Sequence, residues 1–222
     1  MQHGPDLILL IGDSLTQRGF DPEFNGWAAN LQNRFIRKAE VVNRGLSGYN
    51  SKWVSQIIDK LVITPRETLL TIIFVGVNDS VLPSNPYQHV GIVEYEINLV
   101  KIIESSSKKG KVLVICPTPC DVDGWEAHRG KSNERSSAST KLYHDACENV
   151  CRRSGYIYVS TWDAFNQCQD AFIDGVHFSR NGNTLMFNLV MDAILKNWPQ
   201  LDPEKMQSFL PWWDKIVEPV TL

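Results

Sequence analysis

Short apolar runs alternate along this chain with longer stretches in which apolar residues recur at helical spacing. Five runs of four to seven residues are almost continuously apolar or β-branched, which indicates burial on both faces. They predict strands at residues 6–11, 40–43, 69–75, 111–116 and 156–160. Strands of this kind need helices above and below them, so the alternation predicts a parallel α/β sheet covered on both sides.

Helical spacing appears between or after these runs in four places. Apolar residues there fall three or four positions apart, as one face of a helix requires. The four sets are Trp27, Leu31 and Phe35; Trp53, Ile57 and Leu61; Val93, Ile97 and Val100; and Leu185 and Leu189 with Met186 and Val190. These stretches predict the helices that cover the sheet.

Length and charge narrow the class of protein further. With 222 residues, 43% of them apolar, the chain can bury a full core, and we expect one domain over residues 1–222. The last part, about 201–222, carries Phe209, Trp212 and Trp213 among prolines and is expected to pack back on that domain. The net charge is −3 and residues of both signs are interspersed, so the sequence indicates no basic surface that would bind nucleic acid or an anionic membrane. A small, mostly uncharged molecule is the expected partner.

The sequence predicts neither export nor stable membrane insertion. The apolar run at residues 7–11 is too short for the core of a signal peptide or for a transmembrane helix. The cysteines lack zinc-site spacing, so reduced and mostly buried thiols are expected at Cys116, Cys120, Cys147, Cys151 and Cys168. Both observations favour a cytoplasmic protein.

Four short segments that each follow a strand-like run contain, together, the groups that a hydrolase needs. They are residues 12–16 (GDSLT), 43–45 (NRG), 76–79 (GVND) and 174–177 (DGVH). Because the carboxyl ends of parallel strands meet at one edge of a sheet, we expect the segments to lie together. Ser14 is suited either to be a nucleophile or to cap a helix, and capping is the commoner role for an isolated serine there.

A histidine with a neighbouring carboxylate supplies the base that a serine nucleophile needs. His177 can take the Ser14 proton near neutral pH, and Asp174, three residues earlier, can hold the other ring nitrogen. The remaining histidines are expected on the surface: His3, His89, His128 and His144.

Acyl transfer also needs hydrogen-bond donors where negative charge develops on the carbonyl oxygen. Three candidates follow strand ends, namely the backbone N–H groups of Ser14 and Gly45 and the side-chain amide of Asn78. Gly45 and Asn78 are also common turn residues, so a purely structural role stays open for both.

The chain resembles the SGNH hydrolases of the GDSL esterase/lipase family. The GDSLT segment, the glycine at position 45, the GVND segment and the DGVH segment occur in the order of that family's four blocks. The chain is similar in particular to the isoamyl acetate-hydrolysing esterase branch, through residues 44–53 (RGLSGYNSKW), residues 174–179 (DGVHFS) and the C-terminal tail.

This resemblance implies a three-layer α/β/α sandwich with a five-stranded parallel sheet of flavodoxin-like order. It implies hydrolysis of small carboxylic esters, within lipid metabolism, through an acyl-enzyme on Ser14. A short acyl or acetyl group is expected because the sequence gives no argument for a long apolar channel, and neither a cofactor nor a metal is expected. The implied site residues are Ser14, Asp174 and His177 for catalysis, Ser14, Gly45 and Asn78 for the oxyanion hole, and Asp13 in support.

Other functions stay open at this point. The same site could transfer the acyl group to another alcohol, and the same fold could serve as a silent binding or scaffold module. The commoner serine esterase fold is disfavoured because no Gly-x-Ser-x-Gly occurs, and a metallophosphoesterase would need more ligands than these loops supply. Residues 80–88 and 117–139 are candidates for a lid, although a solvated loop is the favoured interpretation of the second.

Overall fold

A single parallel sheet organises the protein, whose computed structural model describes residues 4–130 and 134–216. Its strand order is β2-β1-β3-β4-β5, which is the flavodoxin-like order. The five strands are Leu7–Gly12 (β1), Glu40–Gly45 (β2), Thr68–Phe74 (β3), Lys111–Ile115 (β4) and Ile157–Val159 (β5). All five predicted strands are confirmed, with ends shifted by one or two residues, and so is the predicted order.

Helices cover both faces of the sheet. In chain order the α-helices are Ser14–Gln17 (α1), Trp27–Arg34 (α2), Ser51–Leu61 (α3), Ile92–Ser107 (α4), Val122–Arg129 (α5), Ser137–Ser154 (α6), Trp162–Gln167 (α7) and Arg180–Asn197 (α8). Alternate residues of β1 pack on opposite faces of the sheet. Ile8 and Leu10 pack in the core cluster that includes α2, α7 and α8. Leu9 and Ile11 pack in the core cluster that includes α3, α4 and α6. The predicted three-layer α/β/α architecture is confirmed.

The buried face of α4 differs from the one that helical spacing suggested. Val93 and Ile97 are 69% and 64% exposed, whereas Tyr95, Leu99 and Ile102 are fully buried. Apolar residues occur around most of this helix, so spacing alone does not select a face. Its position against α3, α6 and the sheet decides which side is buried.

The second candidate lid, residues 117–139, contains helix α5 where a solvated loop was expected. Local capping explains the helix: the Asp121 side chain accepts the Gly124 N–H at 3.1 Å, and Gly130 ends the helix in the left-handed conformation. Residues 131–133 of this stretch lie outside the described residues.

The tail after residue 200 contacts the body through Leu201 in the core, through an ion pair between Arg34 and Glu204, and through hydrogen bonds to its backbone. The Phe209 N–H donates to the Arg37 carbonyl at 2.7 Å, and the Arg37 guanidinium lies 4.0 Å from the centre of the Trp212 ring. Trp213, also expected to pack on the body, is 82% exposed. Positions 217–222 of the predicted tail lie outside the described residues. Within the described ranges, none of the helices combines the length and the hydrophobicity needed to cross a bilayer.

Candidate active site

Ser14 lies at the carboxyl edge of the sheet because β1 ends one residue before a helix cap. Asp13 is the cap of α1, and its Oδ1 accepts the Leu15 N–H at 2.9 Å, so Ser14 is the first helical residue and does not have the capping role. The Gln17 N–H closes the turn on the Asp13 carbonyl at 2.9 Å. Ser14 is 4% exposed, and this short turn holds it in place.

Asp174 and His177 are held by a tight turn that begins at Asp174. One carboxylate oxygen, Oδ1, accepts the backbone N–H groups of Val176 and His177 at 3.0 and 2.8 Å. Gly175 has φ +87°, and a Cβ there would overlap the Asp121 backbone, so the turn requires glycine. Helix α8 starts directly after this turn, with Ser179 as its cap.

A chain of hydrogen bonds joins these two segments. The Ser14 Oγ lies 2.9 Å from His177 Nε2, and His177 Nδ1 lies 2.6 Å from Asp174 Oδ2. The second distance fits a proton on Nδ1, because a carboxylate can only accept. Nε2 is then free to accept the Ser14 hydroxyl proton, which is the geometry that a general base needs.

The environment of Asp174 favours its charged form. Burial alone would raise the pKa of this carboxyl, but the hydrogen bonds from the His177 ring and backbone and from the Val176 N–H outweigh burial and lower the pKa. Asp174 therefore stays ionised over the whole neutral range and can stabilise a positive charge on His177.

Asn78 brings a side-chain amide to the same cleft. It follows β3, is 4% exposed and donates one N–H to the Tyr49 carbonyl at 2.8 Å. A side-chain amide has two N–H groups, so one remains for an oxygen in the cleft. Next to it, Asp79 accepts the Ser51 N–H and hydroxyl, which ties the end of β3 to the start of α3.

Gly45 is not brought into this group. Its N–H donates to the Asn43 side-chain oxygen at 2.9 Å, and it does not line the cleft that contains Ser14 and Asn78. Gly48, three residues later, does line that cleft. Gly48 has φ +83°, and within residues 4–130 and 134–216 its N–H makes no hydrogen bond. Sequence reasoning chose the earlier glycine of the RGLSG run because it directly ends a strand.

Asp13 is one of two fully buried acidic groups at the site, the other being Asp79. It is fully buried, Oδ2 has no hydrogen-bond partner among the described residues, and desolvation by burial raises its pKa to about 7. Burial likewise raises the pKa of Asp79 to about 7. Asp13 shapes the turn that carries Ser14 and does not itself line the cleft.

The cleft around Ser14 has a volume of about 250 Å³, and polar and apolar atoms contribute to its lining in nearly equal parts. Two segments that were considered as lids contribute to it, through Asn85 and Gln88 on one side and Trp125, Arg129 and Arg135 on the other. No functional role was predicted for Trp125 or Arg135. The run Asn-Glu-Arg-Ser-Ser that contains Arg135 is typical of a solvated loop, and only the fold reveals that this arginine is buried.

One group of potential metal ligands occurs among the described residues, outside this cleft. Cys116, His144 and Glu148 each offer one ligand atom, all within 4.8 Å of one another. His144 was expected on the surface but is 1% exposed, because α6 packs it against the end of β4. Its Nδ1 lies 2.8 Å from the Pro117 carbonyl and its Nε2 lies 3.2 Å from the Ser160 hydroxyl, so both ring nitrogens have protein partners.

The other histidines and the cysteines mostly follow expectation. His128 is exposed, His89 is half-buried, and His3 lies outside the described residues. All five cysteines are free thiols, and four of them are buried, as predicted.

Comparison with known proteins gives one family and several relatives. The model of a family described as GDSL-like Lipase/Acylhydrolase matches residues 10–185. The chain is 31% identical to the human isoamyl acetate-hydrolyzing esterase 1 homolog over 95% of this chain and 88% of that protein. It is 28% identical to the isoamyl acetate-hydrolyzing esterase of Schizosaccharomyces pombe over 95% of this chain and 83% of that protein.

Solved structures share the fold at lower identity. A lipase/acylhydrolase from Enterococcus faecalis superposes with a TM-score of 0.69 at 20% identity, covering 93% of this chain and all of that one. A variant of an acetyl xylan esterase from Geobacillus stearothermophilus superposes with a TM-score of 0.66 at 21% identity, covering 87% of this chain and 97% of that one.

Proposed function

Because this chain belongs to the GDSL-like lipase/acylhydrolase family and is an ester hydrolase of that family, we propose that it hydrolyses small carboxylic esters through an acyl-enzyme on Ser14. The observation that carries this proposal is the hydrogen-bonded chain from Ser14 Oγ through His177 to Asp174, with distances of 2.9 and 2.6 Å. A hydroxyl placed on a neutral imidazole that is oriented by an ionised carboxylate is an activated nucleophile.

The first half-reaction forms the acyl-enzyme. His177 Nε2 takes the Ser14 hydroxyl proton while Oγ bonds to the ester carbonyl carbon, and the electron pair of the carbonyl moves onto its oxygen. The C–O bond to the alcohol then breaks, and the alkoxide leaves with the proton from His177. Asp174 stabilises the imidazolium that exists between these two steps.

Hydrogen-bond donors stabilise the negative oxygen of the tetrahedral intermediate. We assign this role to the Ser14 N–H, the free N–H of the Asn78 amide and the Gly48 N–H, which takes the place first expected for Gly45. The assignment rests on the cleft that Gly48 shares with Ser14 and Asn78, and on the commitment of the Gly45 N–H to Asn43. Such donors act on charge that develops in the transition state.

The second half-reaction repeats the sequence with water. His177 accepts a proton from water as the water oxygen bonds to the acyl carbon, and the Ser14 oxygen leaves with that proton. The free acid and the starting enzyme result.

A small acyl group fits the cleft best. Its volume of about 250 Å³ suits a small ester. Two relatives whose alignments cover 95% of the chain are named for the hydrolysis of isoamyl acetate, an ester with a two-carbon acyl group. We therefore propose acetyl and other short-chain esters as the substrate class.

Covalent trapping tests the nucleophile directly. A 4-nitrophenyl alkylphosphonate transfers its phosphonyl group to an activated serine, and peptide mass mapping locates the label. We expect a stoichiometric label on Ser14, its loss in Ser14→Ala, and retention in Ser47→Ala, a matched control because Ser47 lines the same cleft. A label on another residue, or equal hydrolysis of 4-nitrophenyl acetate by wild type and Ser14→Ala, would overturn the proposal.

A further inference from the structure

A buried guanidinium lines the Ser14 cleft without an ion-pair partner. Arg135 is 6% exposed, and its Nη1 donates to the Val77 carbonyl at 2.7 Å. Its Nε is buried and makes no hydrogen bond, and no carboxylate lies within ion-pair distance of the guanidinium in residues 4–130 and 134–216. Burying a charge with so few partners is unfavourable, so a group that carries the opposite charge is expected to bind there.

An aromatic ring fixes the orientation of this guanidinium. The Arg135 guanidinium carbon lies 4.7 Å from the centre of the Trp125 ring, a cation–π contact. Arg129, which is exposed, lies 5.5 Å from the same ring. Both arginines and Trp125 line the cleft. A stacked guanidinium is pre-organised, and it loses less side-chain entropy when it binds a ligand.

Cationic side chains outnumber anionic ones in the lining of the cleft. The lining contains two arginines, Arg129 and Arg135, and one carboxylate, Glu134. Asp13 and Asp174 act on Arg135 from longer range, but Asp174 is already hydrogen-bonded to His177, and Asp13 contributes its Oδ1 to the α1 cap. Neither carboxylate lies within ion-pair distance of the guanidinium among the described residues.

We propose that Arg135 binds an anionic group of the substrate, so that the preferred esters carry a carboxylate on the same small molecule as the scissile bond. This rests on the proposed function, because the cleft that holds the Ser14 hydroxyl also holds the guanidinium. A planar guanidinium donates two parallel hydrogen bonds to a carboxylate, a geometry that an uncharged amide cannot match. The carboxylate can belong to the acyl group or to the alcohol.

A structural role is the alternative, in which Arg135 only holds the Val77 carbonyl and thereby positions Asn78. The two roles differ in what they do to substrate preference. Loss of a positioning contact lowers turnover of charged and uncharged esters alike, whereas loss of an anion-binding group lowers turnover of the charged ester selectively.

Two pairs of esters that differ only in charge test the proposal. The acyl-side pair is monoethyl glutarate and its carboxamide, and the alcohol-side pair is 2-acetoxyacetate and 2-acetoxyacetamide. Hydrolysis is followed by titration of the released acid at pH 8, and the readout is the ratio of kcat/KM for the carboxylate over the carboxamide. Wild type is compared with Arg135→Gln, Arg135→Lys and, as a matched control outside the cleft, Arg152→Gln, which is on the exposed side of α6.

We expect the ratio to exceed roughly tenfold in one pair, since a hydrogen bond to a charged group is worth more than a neutral one. It should fall to near one in Arg135→Gln, be partly retained in Arg135→Lys, and remain at the wild-type value in Arg152→Gln. The pair that shows the preference identifies the side of the ester that carries the anion. A wild-type ratio near one in both pairs, or a ratio that Arg135→Gln leaves unchanged, would refute anion binding. Absence of Ser14-dependent hydrolysis of all four esters and of 4-nitrophenyl acetate would instead refute the proposed function.

Discussion

The Asn183 side-chain oxygen accepts the backbone N–H of Trp27 at 3.1 Å, although the two residues are 156 positions apart in the sequence. The Trp27 indole N–H in turn donates to the Leu15 carbonyl at 2.9 Å. One line of hydrogen bonds thus joins α8, which follows the His177 turn, to the turn that carries Ser14. The Ser14–His177 distance therefore depends on contacts that are remote from the cleft.

Replacing Asn183 by alanine should weaken both the fold and the site. The change leaves the buried Trp27 N–H without a partner and removes the amide contacts to the Phe178 and Ser179 carbonyls. We expect a loss of roughly 2–3 kcal/mol in the free energy of unfolding, measured with urea, together with a lower kcat. Asn197→Ala is the control, because it removes a contact at the far end of the same helix. Equal losses of unfolding free energy and of kcat in the two variants would show that the hydrogen bond to Trp27 contributes no more than the one at Asn197.

Asp174→Asn should slow catalysis strongly while the turn persists. The asparagine keeps an oxygen for the Val176 and His177 N–H groups but no longer stabilises a positive imidazole. We expect kcat to fall roughly 10²- to 10⁴-fold, measured with 4-nitrophenyl acetate. Asp170→Asn is the matched control, since Asp170 is exposed and its positive φ suits asparagine. A loss of less than about fivefold in Asp174→Asn would argue against an orienting carboxylate.

Asn78→Ala should lower kcat far more than it raises KM. We assign its free N–H to a hydrogen bond with the negatively charged oxygen that forms in the transition state. The loss of one such donor lowers kcat by about 10²- to 10³-fold. Steady-state kinetics with 4-nitrophenyl acetate separates the two constants, and circular dichroism checks that the Tyr49 contact was not essential to folding. If the entire loss appeared in KM, Asn78 would bind substrate without stabilising the oxyanion.

The buried carboxyl of Asp13 should make stability depend on pH. Its pKa is about 7 in the folded protein and about 3.9 in an unfolded chain, so the folded state binds more protons between these values. Stability contributed by this group is therefore present at low pH and is lost as pH rises toward and through 7.

Asp13→Asn keeps the oxygen that caps α1 and removes the titration. We expect its free energy of unfolding relative to wild type to increase by roughly 1–3 kcal/mol from pH 5 to pH 8. If the free energies of unfolding of the two proteins changed in parallel with pH, this expectation would be contradicted. Any pH dependence that the variant retains is assigned to Asp79, whose pKa is raised in the same way.

The cysteines should differ sharply in reactivity. Cys168 is half-exposed, whereas Cys116, Cys120, Cys147 and Cys151 are buried. Burial raises the pKa of both the Cys116 and the Cys168 thiols, so access to the reagent is what distinguishes them. The thiolate is the reactive form, so Ellman's reagent should titrate one thiol quickly in the folded protein and all five after unfolding. Mass mapping after brief alkylation should place the label on Cys168, and Cys168→Ser should abolish the fast phase. Rapid labelling of a buried cysteine in the native protein would contradict the packing around α6.

Most of the sheet could be predicted from the sequence because its strands are buried on both faces. Residues such as Ile8 to Ile11 have no polar alternation, and a short, continuously apolar run of this kind is typical of a strand inside a parallel sheet. The segment with Ser14 follows β1 as expected, but the segment with Asp174 and His177 does not follow a strand. It lies between α7 and α8, so its place beside Ser14 depends on the packing of these helices.

What could not be predicted depends on contacts between distant parts of the chain. The apolar residues of α4 allowed either face to be buried, and packing against α3 and α6 decided between them. His144 and Arg135 are polar residues in polar contexts, and local sequence carries no sign that either is buried. The choice between Gly45 and Gly48 required the position of the Asn43 side chain, which no motif specifies.

The separation of 163 positions between Ser14 and His177 also has a consequence for biosynthesis. A nascent chain that has emerged from the ribosome only through β4 carries the hydroxyl but not yet the imidazole that would activate it. Ester hydrolysis can therefore begin only once most of the polypeptide has been made and α8 has packed against α2 and β5, so measured activity also reports on complete folding.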